Sequence, residues 1–227
     1  MKKKVFPFGK NSDKLKPLLE KAGFIVVDKT PDFIASYGGD GTFMLSEAKY
    51  PGIPKIILRD SHICKKCSPL LNEEVLKRIA KGAYVIEKMV KLELSLGKQK
   101  FLAVNDVVVH NDNSRHAMRY KLSVNGKVIG AHIIGDGIVV STPFGSTGYY
   151  RSITDSIFEV GIGLAFNNST EQSDHMVLRD DSLIELSVLR GPAIAYADNQ
   201  TEAFSLGEGD SIFIKKSKQT ALIAIPK

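Results

Sequence analysis

Short apolar runs separated by helix-length amphipathic stretches set the pattern of the first part of the chain. Val5-Phe6-Pro7-Phe8, Phe24-Ile25-Val26-Val27, Phe33 to Tyr37 and Ile53 to Leu58 read as strands, while Ser12 to Ala22, a stretch near Thr42 to Lys49 and Asn72 to Lys81 read as helices. The last opens on Asn-Glu-Glu and stops at Gly82, where capping favours a start and an end. Strands alternating with helices predict an open α/β domain over residues 1–85 on a parallel sheet, with its ligand at the carboxyl ends of the strands.

From about Tyr84 the pattern changes to strands in succession: Lys91 to Leu96, Phe101 to His110, Arg119 to Val124, Lys127 to Ile134, Gly137 to Ser141, Leu183 to Leu189, Ile194 to Ala197, Ala203 to Leu206, Ser211 to Lys215 and Ala221 to Ile225. Residues 86–227 are therefore expected to form a β-rich domain. Val124-Asn125-Gly126-Lys127 is a two-residue hairpin signal, because asparagine and glycine accept the positive φ angles of a type I′ turn. A helix is expected between Thr147 and Phe158. No repeat, low-complexity tract or heptad interrupts the pattern.

Composition narrows the setting. The chain has 227 residues, 43% hydrophobic and 25% charged, values ordinary for a soluble protein, and no apolar run long enough to span a bilayer. Met1-Lys2-Lys3-Lys4 resembles the start of a secretory signal, but the apolar stretch that follows is too short and broken, so a cytoplasmic protein without membrane contact is expected. The net charge of +6 fits small phosphorylated anions as ligands; the lysines are scattered rather than interleaved with aromatics, which argues against nucleic acid. The cysteines lie in His62-Ile63-Cys64-Lys65-Lys66-Cys67, a spacing that can offer zinc ligands or form a redox pair. A matching second ligand pair is missing, so the expectation is a plain loop in a reducing compartment.

Three stretches do not read as core. Ser36-Tyr37-Gly38-Gly39-Asp40-Gly41-Thr42 places three glycines around one carboxylate between a strand and a helix start. Glycines let a ligand approach bare N–H groups, and a helix start adds donors and partial positive charge, a combination that suits phosphate. Asp40 among such amides is a poor anion ligand; its use is to take a proton from an attacking hydroxyl or to hold a cation, unless it merely caps the helix. Asn105-Asp106 breaks an apolar strand, where one of two adjacent side chains must meet core or cavity. Gly135-Asp136-Gly137 leads through a strand into Thr142-Pro143-Phe144-Gly145-Ser146-Thr147-Gly148-Tyr149, whose hydroxyls, amides and tyrosines can line a nucleotide pocket.

Taken in that order, these stretches resemble the NAD kinases over about residues 31–215. The first motif is shared with lipid kinases of the diacylglycerol and sphingosine type and, in a related form, with phosphofructokinases; the third is more specific. The resemblance implies an open α/β, Rossmann-like N-terminal domain and a β-sandwich-like C-terminal domain, assembled as homodimers or homotetramers. It implies transfer of phosphate from ATP or polyphosphate, with magnesium or another divalent cation, to the 2′-hydroxyl of the adenosine ribose of NAD. Asp40 then matches the catalytic carboxylate, with Gly38, Gly39, Gly41 and Thr42 shaping the phosphate loop. Asn105 and Asp106 match the pair that holds NAD, Asp136 the acidic residue on the nicotinamide side, and Thr147, Gly148, Tyr149 and Ser152 the adenosine-side and carboxamide contacts.

The chain also departs from the family. Position 148 is usually alanine, Ala197-Asp198-Asn199-Gln200 stands where the family turn reads Asp-Gly, and Leu58 to Ser68 has no asparagine, glycine or phenylalanine of the usual Asn-x-Gly-x-x-Gly-Phe loop. An NAD(P)-binding sensor without a donor site and a lipid kinase remain as alternatives at this stage.

Overall fold

Val5-Phe6-Pro7-Phe8 forms the first strand, β1 (Lys4–Phe8), in a computed structural model that describes residues 2–60, 64–170 and 174–227. The described residues divide into two compact units, one of residues 1–89 with 220–227 and one of residues 90–219.

In the first unit β1 leads through a 3-10 turn into α1 (Lys16–Lys21), followed by β2 (Ile25–Val26), β3 (Phe33–Gly38), α2 (Asp40–Lys49), β4 (Lys55–Arg59) and α3 (Asn72–Ala80). The strands pair in parallel in the order β2-β1-β3-β4. The chain runs outward to one side from β1 to β2 and to the other from β3 to β4, so the carboxyl ends of β1 and β3 meet where the order reverses. Leu15, Leu19, Val75, Leu76 and Ile79 close over one face of this sheet against Val5, Phe33, Ala35, Ile56 and Leu58. Each such side chain contributes about 1.5–3 kcal/mol when fully buried. Alternation turns Ile34, Ser36 and Ile57 to the other face, and α2 packs on β3 and β4.

The second unit is a sandwich. One layer has the order β12-β11-β10-β7-β14-β15, made of β7 (Asp106–Asn111), β10 (Gly137–Ser141), β11 (Ile162–Asn167), β12 (His175–Leu178), β14 (Ala193–Ala197) and β15 (Ala203–Leu206). The other is built on β8 (Met118–Val124), β9 (Lys127–Gly135) and β13 (Leu183–Arg190), with β5 (Tyr84–Leu96), β6 (Gln99–Ala103) and β16 (Ser211–Pro226). Val107, Val109, Ile138, Val140 and Leu164 face Leu92, Tyr120, Leu122, Leu186 and Ile212 in the core between the layers. On the outer face Val108, Val139 and Ala165 gather Tyr150 of α4 (Tyr149–Thr154) with Ile153, Phe158 and Tyr196. Burial on both faces is why β7 and β10 read as unbroken apolar runs. Asn125 and Gly126 take φ of 52° and 77°, as a type I′ hairpin requires.

Several elements differ from the sequence reading. The expected strand from Phe101 to His110 is two, β6 and β7, in different layers. Ser211 to Lys215 and Ala221 to Ile225 belong to one strand, β16, whose early residues pair with β13 while Ile223 pairs in parallel with Lys55. The expected helix from Thr147 to Phe158 spans only Tyr149–Thr154, ended by Asp155 at φ 51°, and β11 and β12 follow where the sequence pattern predicts nothing regular. Among the described residues no helix is long and apolar enough to cross a membrane.

Candidate functional site

Glycine at positions 9 and 38 lets two strand ends close on one another. A Cβ on Gly9, at φ 135°, would lie 2.2 Å from the Tyr37 carbonyl oxygen, and one on Gly38 would lie 2.1 Å from Thr42 Oγ1. Only glycine lets Thr42 fold back under β3. The helix begins earlier than its composition indicates: Gly39, extended at φ −122°, is the cap residue, Thr42 and Phe43 donate to its carbonyl, and Asp40 opens α2. Asp40 and Gly41 therefore belong to the first turn rather than to the loop.

The loop after β4 comes to this carboxylate. The backbone N–H of Lys65 donates to Asp40 Oδ2 at 3.1 Å, that of Lys66 to Oδ1 at 3.0 Å, and Cys64 Sγ lies 3.4 Å from Oδ1. Asn72 at the start of α3 fixes the base of the loop by bonding both the N–H and the carbonyl of Arg59, at 2.9 and 2.8 Å. The Arg59 guanidinium donates to the Cys64 carbonyl at 3.2 Å. Burial pulls the pKa of the Lys66 ammonium down, against the opposing pull of Asp40. Cys64 and Cys67 are joined in a disulfide, which replaces the expected loop of free thiols. Two intervening residues bring the sulfurs within bonding reach once the loop closes on Asp40. His62, the third potential zinc ligand, lies outside the described residues, among which no group of three or more His, Cys, Asp or Glu side chains could hold a metal.

In the second unit, Asn105 and Asp106 sit at the break between β6 and β7, and the break has a cause. The Asp198 carboxylate, 8% exposed, accepts the backbone N–H of Val104 at 2.8 Å, of Asn105 at 2.8 Å and of Asp106 at 3.2 Å. Those N–H groups turn to a side chain in place of a neighbouring strand. From the other side Thr142 bonds the carbonyls of Val104 and Asn105, and Gly145 lies so close that a Cβ there would be 2.2 Å from the Asn105 oxygen. A Cβ on Gly148 would lie 3.5 Å from Asn105 Nδ2 and 4.0 Å from Asp106 Oδ2. Asn105, Asp106, Gly145 and Gly148 thus converge at one end of β10.

Asp136 is at the other end, five residues along and roughly 16 Å away at strand spacing. Its oxygens accept from Asn111 Nδ2 at 3.3 Å and Asn168 Nδ2 at 2.7 Å. Tyr149 spans the interval: its backbone adjoins Gly148, its hydroxyl accepts from Asn167 Nδ2 at 3.1 Å, and Asn167 pairs with Gly137. Tyr149 is 36% exposed. Ser152 donates to the Tyr149 carbonyl at 2.7 Å, which uses its hydroxyl within the helix, and Thr147 is half-buried in the loop. Asp198, Thr142 and Asn167 were not singled out as site residues from the sequence. The signal for Asp198 was a polar break after the apolar strand Ile194 to Ala197.

Burial pushes Asp106 up to about 7, helped by the charge of Asp198, and pushes Asp198 up to about 6 against its three backbone donors and Lys91. Between the unfolded carboxyl value near 4 and these folded values, the native state holds protons that the unfolded chain has released. Stability is therefore lost as pH rises through that window, by up to about 1.4 kcal/mol per pH unit for each carboxyl. Asp106→Asn is expected to gain on the order of 2–4 kcal/mol relative to the parent between pH 4.5 and 7.5. Urea unfolding at the two pH values checks it, and equal pH slopes for the two proteins would contradict it.

Residues 104–225 match the family model described as ATP-NAD kinase C-terminal domain. The chain is 29% identical over 201 residues to the bifunctional NADP phosphatase/NAD kinase of Methanococcus maripaludis, covering 82% of this chain and 35% of that protein. It is 29% identical over 209 residues to an NAD kinase of Thermoanaerobacter sp., covering 86% and 74%, and 31% identical over 151 residues to an NAD kinase of Saccharolobus islandicus, covering 64% and 57%. The chain thus spans about a third of the bifunctional relative and just over half of the Saccharolobus one. Among solved structures, an NAD kinase from Archaeoglobus fulgidus in complex with ATP aligns with a TM-score of 0.79 at 24% identity, over 97% of this chain and 91% of that one. Yeast NADH kinase complexed with NADH aligns with a TM-score of 0.84 at 15% identity, over 100% and 84%. At these identities the structures show a common fold.

Proposed function

The chain belongs to the NAD kinase family, and from that membership together with its glycine-bounded Asp40 and its Asn105-Asp106 pair we propose that it transfers a phosphoryl group from ATP or polyphosphate to the 2′-hydroxyl of the adenosine ribose of NAD, forming NADP. The observation that carries the reading is Asp40 at the first turn of α2, where glycine-bounded backbone and a carboxylate occupy the carboxyl end of a parallel strand. Its NAD kinase relatives, and the ATP and NADH of the aligned structures, support the same substrates.

In this reading the second unit holds the dinucleotide. Asp106 accepts ribose hydroxyls while Asn105 donates its amide, and Asp198 fixes both by their backbone N–H groups. Asp136, roughly 16 Å along β10, lies at a distance that an extended dinucleotide can span, with the exposed ring of Tyr149 between. The first unit supplies the base: Asp40 takes the proton of the attacking hydroxyl as it meets the terminal phosphate in line, and the positive end of α2 favours the charge on the phosphoryl oxygens. Arg59, Lys65 and Lys66 add positive charge at the same end of the sheet. A divalent cation would enter with the donor phosphates and neutralise their charge; among the described residues no group of three or more His, Cys, Asp or Glu side chains could hold one by itself. An assembly of two or four copies is carried over from the family resemblance.

The deciding experiment incubates the chain with NAD, magnesium and either ATP or polyphosphate and measures NADP. Saturable NAD binding with no NADP from any donor would contradict the kinase reading. Gly148→Ala tests the NAD pocket. Its Cβ would touch Asn105 and Asp106 at ordinary contact distance and sit 3.1 Å from the Gly145 oxygen, so the loop must give only slightly. A change of KM for NAD within about threefold is expected, with kcat intact, because the added contact and the small shift each amount to well under 1 kcal/mol.

A further inference from the structure

The segment that departs most from the family is also the segment that touches Asp40. Lys65 and Lys66, whose N–H groups reach the two carboxylate oxygens at 3.1 and 3.0 Å, are the two residues enclosed by the Cys64–Cys67 disulfide. A covalent ring closed over two residues leaves their backbone few conformations, so ring and clasp form one device. Both hydrogen bonds are charge-assisted and hold the carboxylate in place, one on each oxygen. A disulfide sulfur carries no hydrogen. The 3.4 Å approach of Cys64 Sγ to Asp40 Oδ1 is therefore a bare contact, and the two amides alone hold the carboxylate from the ring.

We propose that Cys64 and Cys67 form a thiol–disulfide exchange site for a dithiol reductant, and that its oxidation state decides whether Asp40 is held by the 65–66 amides or released to act as base. Cys64 is 7% exposed and Cys67 is more open, so Cys67 is the sulfur that a reductant reaches. A thiolate of the reductant attacks Cys67 Sγ, the bond to Cys64 breaks, and Cys64 leaves, takes a proton and remains as a thiol beside Asp40. The second thiolate of the reductant then displaces Cys67, which also takes a proton. The protein gains two electrons and two protons, and the dithiol becomes a disulfide. Disulfides in reducing compartments are characteristically of this transient, sensing kind.

The inference rests on Asp40 being the base, so the test has an arm that does not depend on turnover. Amide hydrogen exchange over residues 64–67 of the whole chain, before and after dithiothreitol, reads the clasp directly. Loss of protection at Lys65 and Lys66 on reduction is the expected result. Unchanged protection overturns the proposal even in a preparation that makes no NADP. In the kinetic arm, kcat for NADP formation is expected to rise on the order of tenfold on reduction, as a base freed from its clasp regains part of the rate that general-base help supplies. Cys64→Ser with Cys67→Ser should match the reduced rate and ignore dithiothreitol, with a thermal melt confirming that it folds. Equal rates in both states, or a lower rate after reduction, would show the disulfide to be a staple that supports the site rather than a switch. Absence of NADP in every state, with exchange protection still responding, would instead count against the kinase reading alone.

Discussion

Asp40→Asn is expected to lower kcat for NADP formation at least a hundredfold while leaving the affinity for NAD nearly unchanged. The carboxamide has the shape of the carboxylate but cannot take a proton, and general-base help is typically worth roughly 10²–10⁴-fold. Its oxygen can still accept one of the two amides of the 65–66 clasp; its NH₂ group then faces the other N–H, a donor against a donor. Lys65 is exposed, so water can satisfy the displaced N–H and the cost to folding is small. A rate loss without a matching change in KM or in thermal midpoint separates chemistry from collapse of the loop. A variant as active as the parent would remove Asp40 from the mechanism, and with it the role given to the loop above it.

What the sequence made legible were features whose partners are near in the chain. The glycine motif, the strands that deliver it and the Asn125-Gly126 hairpin are each set by a few adjacent residues, and the pattern of apolar runs told the parallel α/β region from the β-rich one. Asp198 was out of reach because its three N–H partners lie 92 to 94 residues away, and only the folded layers bring β14 beside β7. The polar pair Asn105-Asp106 marks the interruption of the apolar run, but that the chain changes layer there was hidden for the same reason, because it depends on partners far along the chain. The early start of α2 escaped because glycines read as loop, whereas Gly39 as a cap lets the helix begin at Asp40. His175 to Leu178 is edge strand with mixed polarity, and its pairing with β11 is written in the partner rather than in itself. The disulfide needed the loop to be seen on Asp40, because a Cys-x-x-Cys spacing alone serves several chemistries.

The second large effect concerns the helix that carries Asp40. Glu47 on α2 and Lys55 at the start of β4 form an ion pair, with 1% and 0% of their side chains exposed, and the Lys55 ammonium also donates to the Tyr50 carbonyl. Removing one member of such a pair strands a charge in a low dielectric and typically costs about 3–5 kcal/mol, more than the pair itself contributes over apolar residues of the same size. Lys55→Met is therefore expected to lower the unfolding free energy by about that much, and Lys55→Met with Glu47→Leu to recover most of the loss. Urea unfolding of parent, single and double variants at pH 8 measures both changes. A single variant as stable as the parent at pH 8, or a double variant no better than the single, would show that Glu47 and Lys55 do not depend on each other, and that α2 is held to β4 by Phe43 and its apolar neighbours alone.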